Sequence, residues 1–167
     1  MLVRCLCRRK KWSGRERDAI MLIAEATVAD IAEIQRIRMS VRENILADPS
    51  RVTPSDVRAM IENHGRGWVC RIDGAIRGFS FADLRNRNIW ALFIEPGFEH
   101  RGMGRALHDR AVRWLFEKSA EKMWLTTEPS TRAEKFYEIA GWRRTAMESN
   151  GDCRMELDHT TWKSART

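Results

Sequence analysis

A glycine-rich stretch near the middle of the chain has the residue types of an anion-binding turn. Residues 94–106 read Ile-Glu-Pro-Gly-Phe-Glu-His-Arg-Gly-Met-Gly-Arg-Ala and follow an uninterrupted apolar run. The small residues at positions 102, 104 and 106 let backbone N–H groups approach a ligand closely, and a helix that begins here adds partial positive charge. Arg101 and Arg105 can add ionic contacts to the same ligand. The stretch therefore predicts a cradle for a phosphate or pyrophosphate group.

Two other glycine-rich nucleotide-binding patterns do not fit this stretch. A P-loop ends in Gly-Lys followed by Ser or Thr, and that ending does not occur here. The dinucleotide-binding pattern would begin at Gly102 and Gly104, but Leu107 stands where its third glycine belongs. Glycines that only turn the chain are the alternative interpretation.

The histidines and cysteines show no recognisable metal-binding or catalytic pattern. The spacing of the four histidines suits neither a metal site nor a catalytic triad, so we expect no metal and place these residues at the surface. The four cysteines match neither a disulfide framework nor a paired zinc motif, which favours free thiols and a cytoplasmic location. These residues are His64, His100, His108 and His159, and Cys5, Cys7, Cys70 and Cys153.

Hydrophobic periodicity predicts the elements that position the turn. Apolar alternation or continuous apolar runs predict strands, and apolar residues at steps of three and four predict helices. Thr27 is the predicted N-cap of a helix whose apolar stripe reaches Val41, and residues 73–74 and 150–151 are hairpin turns. The predicted strands are 21–26, 68–72, 75–84, 88–94, 122–126, 142–148 and 153–157, and the later helices begin after Thr53 and span 102–118 and 130–140.

The order of these elements predicts an α/β fold. A strand, a crossover helix and a strand around Gly102 require some parallel pairing, while the hairpins require antiparallel pairing. We therefore expect a mixed, mostly antiparallel twisted sheet of about six to seven strands, with helices on both faces. The strand over residues 88–94 has no polar interruption after Asn88, which predicts burial on both of its faces.

The charge of the chain is concentrated at its amino-terminal end. The 167 residues have a formal net charge of +7, and residues 1–20 contain seven basic and two acidic side chains. The remaining residues are nearly balanced, with twenty-three basic and twenty-one acidic side chains, which argues against nucleic-acid binding. We predict a basic, disordered extension over residues 1–20, one domain over 21–158 and a tail over 159–167. No apolar run is long enough for a transmembrane helix.

Two segments resemble motifs of the GCN5-related N-acetyltransferase (GNAT) family. Residues 101–106, Arg-Gly-Met-Gly-Arg-Ala, match the acetyl-CoA-binding pattern of Arg or Gln, two residues, Gly, one residue, and Gly or Ala. Residues 130–142 are similar to the later segment of the family, with a small polar residue, an Ala, an aromatic-Tyr pair and a Gly-aromatic pair at matching offsets. The motifs stand in the family's order, and the elements over residues 21–157 also match. The resemblance implies the acyl-CoA N-acyltransferase fold.

The resemblance also implies which residues bind acetyl-CoA as the acyl donor. The backbone of the strand before the turn would hold the pantetheine arm, and the amides of the turn would hold the pyrophosphate. In the family, a bulge in this strand frees an amide that polarises the thioester carbonyl. The implied binding residues are Leu92, Phe93, Ile94, Arg101, Gly102, Met103, Gly104, Arg105, Ala106 and Ser130, the last of which can cap the following helix or touch the coenzyme where many relatives have Asn.

For catalysis, the resemblance points to Tyr137, the only tyrosine of the chain. A hydroxyl at this position can protonate the leaving thiolate as a general acid, although a core aromatic would show the same helical spacing. Glu43 and Asp83 are the candidate general bases. Arg42 and Trp90 are expected to line the acceptor side.

The implied function is transfer of an acetyl group from acetyl-CoA to a primary amine by direct attack. The expected acceptor is a small-molecule amine or a protein or peptide amine. We expect no nucleic-acid or membrane partner, and both a monomer and a homodimer are compatible with the sequence. A non-catalytic acyl-CoA-binding or regulatory module on the same scaffold is the alternative function.

Overall fold

The computed structural model describes residues 20–41 and 52–164, and a seven-stranded sheet organises them. Every neighbouring pair of strands is antiparallel except one parallel pair in the middle, between the fourth and fifth strands. The predicted mixed, mostly antiparallel sheet is confirmed. The strands are β1 (Met21–Glu25), β2 (Gly65–Ile72), β3 (Ala75–Asp83), β4 (Asn88–Ile94), β5 (Met123–Thr127), β6 (Arg143–Met147) and β7 (Cys153–Leu157), in the spatial order β1-β2-β3-β4-β5-β7-β6.

The described residues contain five α-helices, and threonine caps precede the first two of them. The Thr53 hydroxyl accepts the Asp56 N–H at 3.2 Å, and the Thr27 N–H donates to Asp30 at 2.9 Å, where a short 3₁₀ turn precedes the first helix. The helices are α1 (Ile31–Ser40), α2 (Pro54–Ala59), α3 (Met103–Lys118), α4 (Arg132–Ile139) and α5 (His159–Ser164). A π-helical turn over Met60–His64 follows α2. Helix α1 ends at Ser40 because Val41 has an extended backbone. The prediction that the apolar stripe of this helix reaches Val41 is therefore wrong.

The helices cover both faces of the sheet, as predicted. Apolar residues of α3, α4 and α5 pack on one face, called here the α3 face. Residues of α1 and α2 pack on the opposite face, called the α1 face. The predicted tail over 159–167 needs correction in its described part, since residues 159–164 form α5 and its Trp162 is buried in the α3-face core. Residues 1–19 of the predicted extension lie outside the described part of the chain.

Candidate active site

The sheet opens between its two parallel strands. Strands β4 and β5 pair at one position, Asn88 with Trp124, and the Trp124 N–H donates to the Arg87 carbonyl at 3.1 Å. Past this position the two strands form no further pair within residues 20–41 and 52–164. The sheet is therefore split on the carboxyl side of β4, and a cleft of about 830 Å³ lies there. Val41, the end of β4, residues 96–105 and four residues of α4 line the cleft.

The register of β3 and β4 determines which backbone groups face this cleft. The Glu95 N–H donates to the Arg77 carbonyl at 2.8 Å, and Phe93 lies opposite Phe79 in the same register. Because hydrogen bonding alternates along an antiparallel ladder, the N–H and C=O groups of Phe93 point to β3. Those of the neighbouring residues, Leu92 and Ile94, point away from β3 into the opening. Of the three predicted pantetheine-binding residues, Leu92 and Ile94 offer backbone groups to the cleft and Phe93 offers its side chain.

A bulge lies in β4 just before these residues. Ala82 pairs with Ile89 and Phe81 pairs with Ala91, so Trp90 is an extra residue in the strand. The Trp90 ring packs at 5.8 Å, edge to face, on Phe81 and does not line the cleft, in contrast to its predicted acceptor-side position. The predicted burial of β4 on both faces holds for its first half only, because the last three residues border the cleft and are half-buried. Arg42 lies outside the described residues.

The glycine-rich turn forms the predicted cradle at the N-terminus of α3. Gly102 is the N-cap and has φ = 81°, a left-handed conformation that favours glycine. The first intrahelical bond is donated by the Ala106 N–H to the Gly102 carbonyl at 3.0 Å. The N–H groups of Met103, Gly104 and Arg105 precede that bond and belong to the first helical turn, which leaves them without an intrahelical acceptor. Ala106 does not line the cleft and its amide is occupied, so its predicted binding role is not supported.

Basic side chains surround the cradle. Four basic residues and one carboxylate line this part of the cleft. Arg105 forms an ion pair with Asp109 at 3.1 Å, and Arg101 lies over the Phe98 ring at 4.8 Å. The cleft is therefore positive where the turn amides converge, a combination that suits a phosphate-bearing ligand. The basic residues are His100, Arg101, Arg105 and Arg132, and the carboxylate is Glu99.

Ser130 does not cap α4. The N-cap is Thr131, whose hydroxyl accepts the Glu134 N–H at 3.3 Å. Ser130 has φ = 64°, and its own N–H donates to the Glu134 carboxylate at 2.7 Å. Ser130 is also absent from the cleft lining, so the structure does not bring it to the cradle. The buried Glu134 carboxylate also pairs with Arg144, and this pairing, with the Ser130 N–H, holds its pKa below the usual range.

Tyr137 lines the cleft from α4. Its side chain is buried, with the ring centroids of Phe136 and Trp142 at 5.2 and 5.8 Å. Burial raises the pKa of the Tyr137 hydroxyl above its ordinary value of 10. The hydroxyl therefore keeps its proton throughout the neutral range, which is the state that a general acid needs.

The surface prediction is wrong for His108, which is fully buried behind Tyr137. The Trp142 indole N–H donates to His108 Nε2 at 2.9 Å, and His108 Nδ1 lies 2.9 Å from the Asp109 carboxylate. An indole N–H can only donate, so Nε2 is the acceptor and Nδ1 carries the proton. His108 thus links Asp109, the partner of Arg105, to the aromatic wall that supports Tyr137. Its spacing of three and seven residues from Ala111 and Leu115 on α3 was the sequence signal for burial.

Of the two predicted general bases, only Asp83 lies within the described residues. Asp83 is buried in the turn between β3 and β4, where it accepts the Arg85 N–H and the Asn86 side-chain N–H, both at 2.8 Å. This turn is at the opposite end of β4 from the cleft, since Asp83 pairs with Asn88. Asp83 therefore stabilises a turn and is not brought to the site. Glu43 lies outside the described residues.

Neither a metal site nor a membrane span is found in the described part of the chain. Among residues 20–41 and 52–164, His, Cys, Asp and Glu side chains form no group of three or more that could hold a metal ion. The helices described there are too short or too polar to cross a bilayer.

Comparison with known proteins gives a consistent result. The model of the acetyltransferase (GNAT) family matches residues 29–142. Mycothiol acetyltransferase from Beutenbergia cavernae is 31% identical over 86 residues, which cover 48% of this chain and only 29% of that protein. The chain therefore spans less than a third of the length of this relative.

Solved structures share the fold at low sequence identity. The ribosomal-protein-S18-alanine N-acetyltransferase from Escherichia coli has a TM-score of 0.68 at 17% identity, with 83% of this chain and 93% of that chain covered. The PaiA N-acetyltransferase from Thermoplasma acidophilum, solved in complex with coenzyme A, has a TM-score of 0.68 at 16% identity, with 83% and 99% covered. These likenesses establish the architecture of the sheet and its helices.

Proposed function

Since the chain belongs to the GNAT acetyltransferase family, we propose that it transfers the acetyl group of acetyl-CoA to a primary amine by direct attack. One observation carries this proposal: the split between β4 and β5 ends at a cradle of free amides ringed by basic side chains. An extended amide-bearing arm fits a strand edge, and a pyrophosphate fits a helix N-terminus. The cleft has both features, the free edge of β4 and the N-terminus of α3, next to each other.

The residues of the cleft divide the binding of acetyl-CoA between them. Leu92 and Ile94 would pair with the amides of the pantetheine arm as an added strand does, since their backbone groups are not used by β3. The amides of Met103, Gly104 and Arg105 would hold the pyrophosphate. The Arg101 and Arg105 guanidiniums would balance its charge.

The proposed chemistry requires an oxyanion donor and an acid. The amine nitrogen bonds to the acetyl carbon as the C–S bond breaks, and the thiolate of coenzyme A leaves. The Leu92 N–H, the first free amide after the bulge, would stabilise the negative charge that develops on the carbonyl oxygen. The Tyr137 hydroxyl would protonate the thiolate.

A base must also remove a proton from the acceptor amine. Glu43 remains the predicted base, acting directly or through water. Asp83 is not proposed as the base, because its carboxylate is hydrogen-bonded in the turn at the end of β4 away from the cleft. Replacement of Glu43 by Gln tests this role, and we expect turnover to fall without a change in the affinity for acetyl-CoA.

The direct test combines binding with turnover. Isothermal titration measures the affinity for acetyl-CoA, and a thiol-release assay over a panel of primary amines measures transfer, with mass spectrometry to detect the acetylated product. We expect amine-dependent thiol release. Tight binding without thiol release for any amine would favour the non-catalytic module, and failure to bind acetyl-CoA would contradict the proposal.

A further inference from the structure

The cleft-lining residues at the end of β4 pack toward both faces of the sheet. The side chains of Leu92 and Ile94 pack with the α3-face core, whereas that of Phe93 packs with the α1-face core. All three residues line the same cleft, together with Val41, which follows α1. Since the proposed acetyl-CoA would occupy the α3 side at the cradle, the α1 side is left for the acceptor.

Arg38 occupies an unusual position on this second face. Arg38 follows Ile34 by four positions on α1, and Ile34 is buried against the sheet. An arginine therefore stands in the sheet-facing stripe of α1, where an apolar residue is expected. Its side chain is half-buried. Arg38 is not among the residues that line the cleft, but its guanidinium carbon lies 5.7 Å from the ring centroid of Phe93, which does line it.

The neighbouring arginine of the same helix shows what is missing at Arg38. Arg36 forms ion pairs with Glu33 and with Glu95, which is also held by Arg77. For Arg38, in contrast, no ion pair or hydrogen bond is formed with residues 20–41 and 52–164, and its guanidinium lies over the Phe93 ring. Burial lowers the pKa of the Arg38 guanidinium. A partly buried cation that has no counter-ion among the described residues is well suited to an anionic ligand.

We propose that Arg38 binds an anionic oxygen group of the acceptor, so that the acceptor is an amine that also bears a carboxylate, phosphate or phosphonate. A guanidinium held against an aromatic ring presents its N–H groups in a fixed fork, which suits bidentate contact with such a group. This inference rests on the proposed acetyl transfer and adds the substrate class. Arg38 acts here as a specificity-determining residue.

Matched pairs of amines provide the test, because they differ only in the anionic group. One member carries the anionic group and the other lacks it: glycine with glycinamide, β-alanine with β-alaninamide, and 2-aminoethylphosphonate with ethanolamine. Thiol release from acetyl-CoA is measured for each with the full chain. We expect kcat/KM to favour the charged member of at least one pair by about 10-fold or more, which corresponds to about one charge-assisted hydrogen bond.

Three variants assign the preference to Arg38. Arg38→Gln should abolish it by raising KM for the charged member, with little change for the neutral member or for acetyl-CoA. Arg38→Lys should restore part of it, since a point charge replaces the fork. Arg58→Gln is the control, because Arg58 is an exposed arginine that pairs with Glu62 and has no part in the proposed site, and it should keep the wild-type preference.

The outcomes separate this inference from the proposed function. Acetylation without preference for charged amines, or an equal loss for both members of each pair in Arg38→Gln, would overturn the role of Arg38 and leave acetyl transfer intact. Binding of acetyl-CoA with no acetylation of any charged amine would also overturn it. Loss of acetyl-CoA binding in the wild-type chain would overturn the proposed function and this inference together.

Discussion

The two sides of the cleft bind by different means. On the α3 face, the groups that converge are backbone amides at the end of β4 and in the first turn of α3, with basic side chains around them. On the α1 face, the groups that converge are side chains, with Phe93 and Val41 in the cleft wall and Arg38 behind Phe93. Under the proposed function, backbone groups would hold the donor and side chains would select the acceptor.

This difference explains why the donor is easier to infer than the acceptor. Backbone amides can approach a pyrophosphate only where side chains are small. A site of this kind therefore requires glycines at fixed positions, and these are visible in the sequence. A side-chain pocket leaves no such pattern. If the two sides of the cleft have these different roles, substitutions on the α3 face should change the rate of transfer equally for all acceptors. Substitutions on the α1 face should change it for some acceptors and not for others.

The largest effect should come from Tyr137→Phe. Removal of the proposed acid should lower kcat by about 100-fold or more, the usual range for general acid catalysis, with acetyl-CoA affinity retained. The factor should be the same for every acceptor, because the hydroxyl acts on the leaving thiolate. Stopped-flow or steady-state thiol release measures it. Unchanged kcat would remove Tyr137 from the mechanism, and an acceptor-dependent factor would break the division between the two sides.

The dependence of kcat on pH also tests the role of Tyr137 as the acid. Burial raises the pKa of Tyr137, so the folded protein keeps the hydroxyl protonated above the pH at which an exposed tyrosine ionises. We expect no loss of kcat through ionisation of Tyr137 between pH 7 and about 10. The associated stability is fully present below pH 10 and is lost as the pH rises through the higher folded-state pKa. A descending limb of kcat near pH 8 that is absent in Tyr137→Phe would contradict this.

The next effect is that of Gly102→Ala, with Gly151→Ala as its matched control. Both glycines have positive φ, 81° and 90°, and both have open space where a Cβ would stand. Each substitution should cost about 1–2 kcal/mol of backbone strain and lower Tm similarly. Only Gly102→Ala should also weaken acetyl-CoA binding, by about 10- to 100-fold, because misplaced amides lose charge-assisted bonds. Equal acetyl-CoA affinity in the two variants would contradict a cradle at α3.

A smaller effect, on stability, is expected from His108→Leu. The Trp142 indole N–H would lose its acceptor inside the core, which should lower the free energy of unfolding by about 1–3 kcal/mol. The double variant with Trp142→Phe should be less destabilised than the sum of the single variants, because both partners are then apolar. Chemical denaturation measures the three values. Strict additivity would show that the bond between the two rings contributes nothing.

The smallest effect is the pH dependence of Glu134→Gln. The contacts of Glu134 with Arg144 and Ser130 lower its pKa in the folded state relative to about 4.3 in the unfolded chain. The stabilisation is therefore fully present above pH 4.3 and lost as the pH falls through the lower folded-state pKa. We expect the wild type to be more stable than the variant at pH 7, and this difference to shrink below pH 4. A constant difference from pH 7 to pH 3 would contradict the assignment.

The sequence predicts the sheet and the cradle because both depend on local patterns. The hairpin residues at 73–74, the apolar run of β4 and the glycines of the turn all fall where they were expected. Each of these features requires only neighbouring residues to agree in type and spacing. For the same reason, the acetyl-CoA side of the cleft is foreseeable in outline.

What could not be predicted depends on register and on packing between distant elements. Asp83 was expected at the cleft, but a strand has two ends and only the pairing shows that Asp83 is at the other one. His108 shares the apolar face of α3, but the hydrogen-bond partner that satisfies its ring is Trp142, thirty-four positions later. The choice of Leu92 and Ile94 over Phe93 follows from one hydrogen bond of Glu95. Arg38 becomes informative only when Phe93 is placed beneath it.

The central claim is that acetyl-CoA completes the sheet at the split beyond β4, and amide hydrogen exchange tests it residue by residue. On addition of acetyl-CoA, the N–H groups of Leu92 and Ile94 should gain protection, as should those of Met103, Gly104 and Arg105. The N–H groups of Phe93 and Glu95 already bond to β3 and should change little. This alternation along one strand is the predicted result. Uniform protection of β4, or protection confined to another part of the chain, would contradict the account.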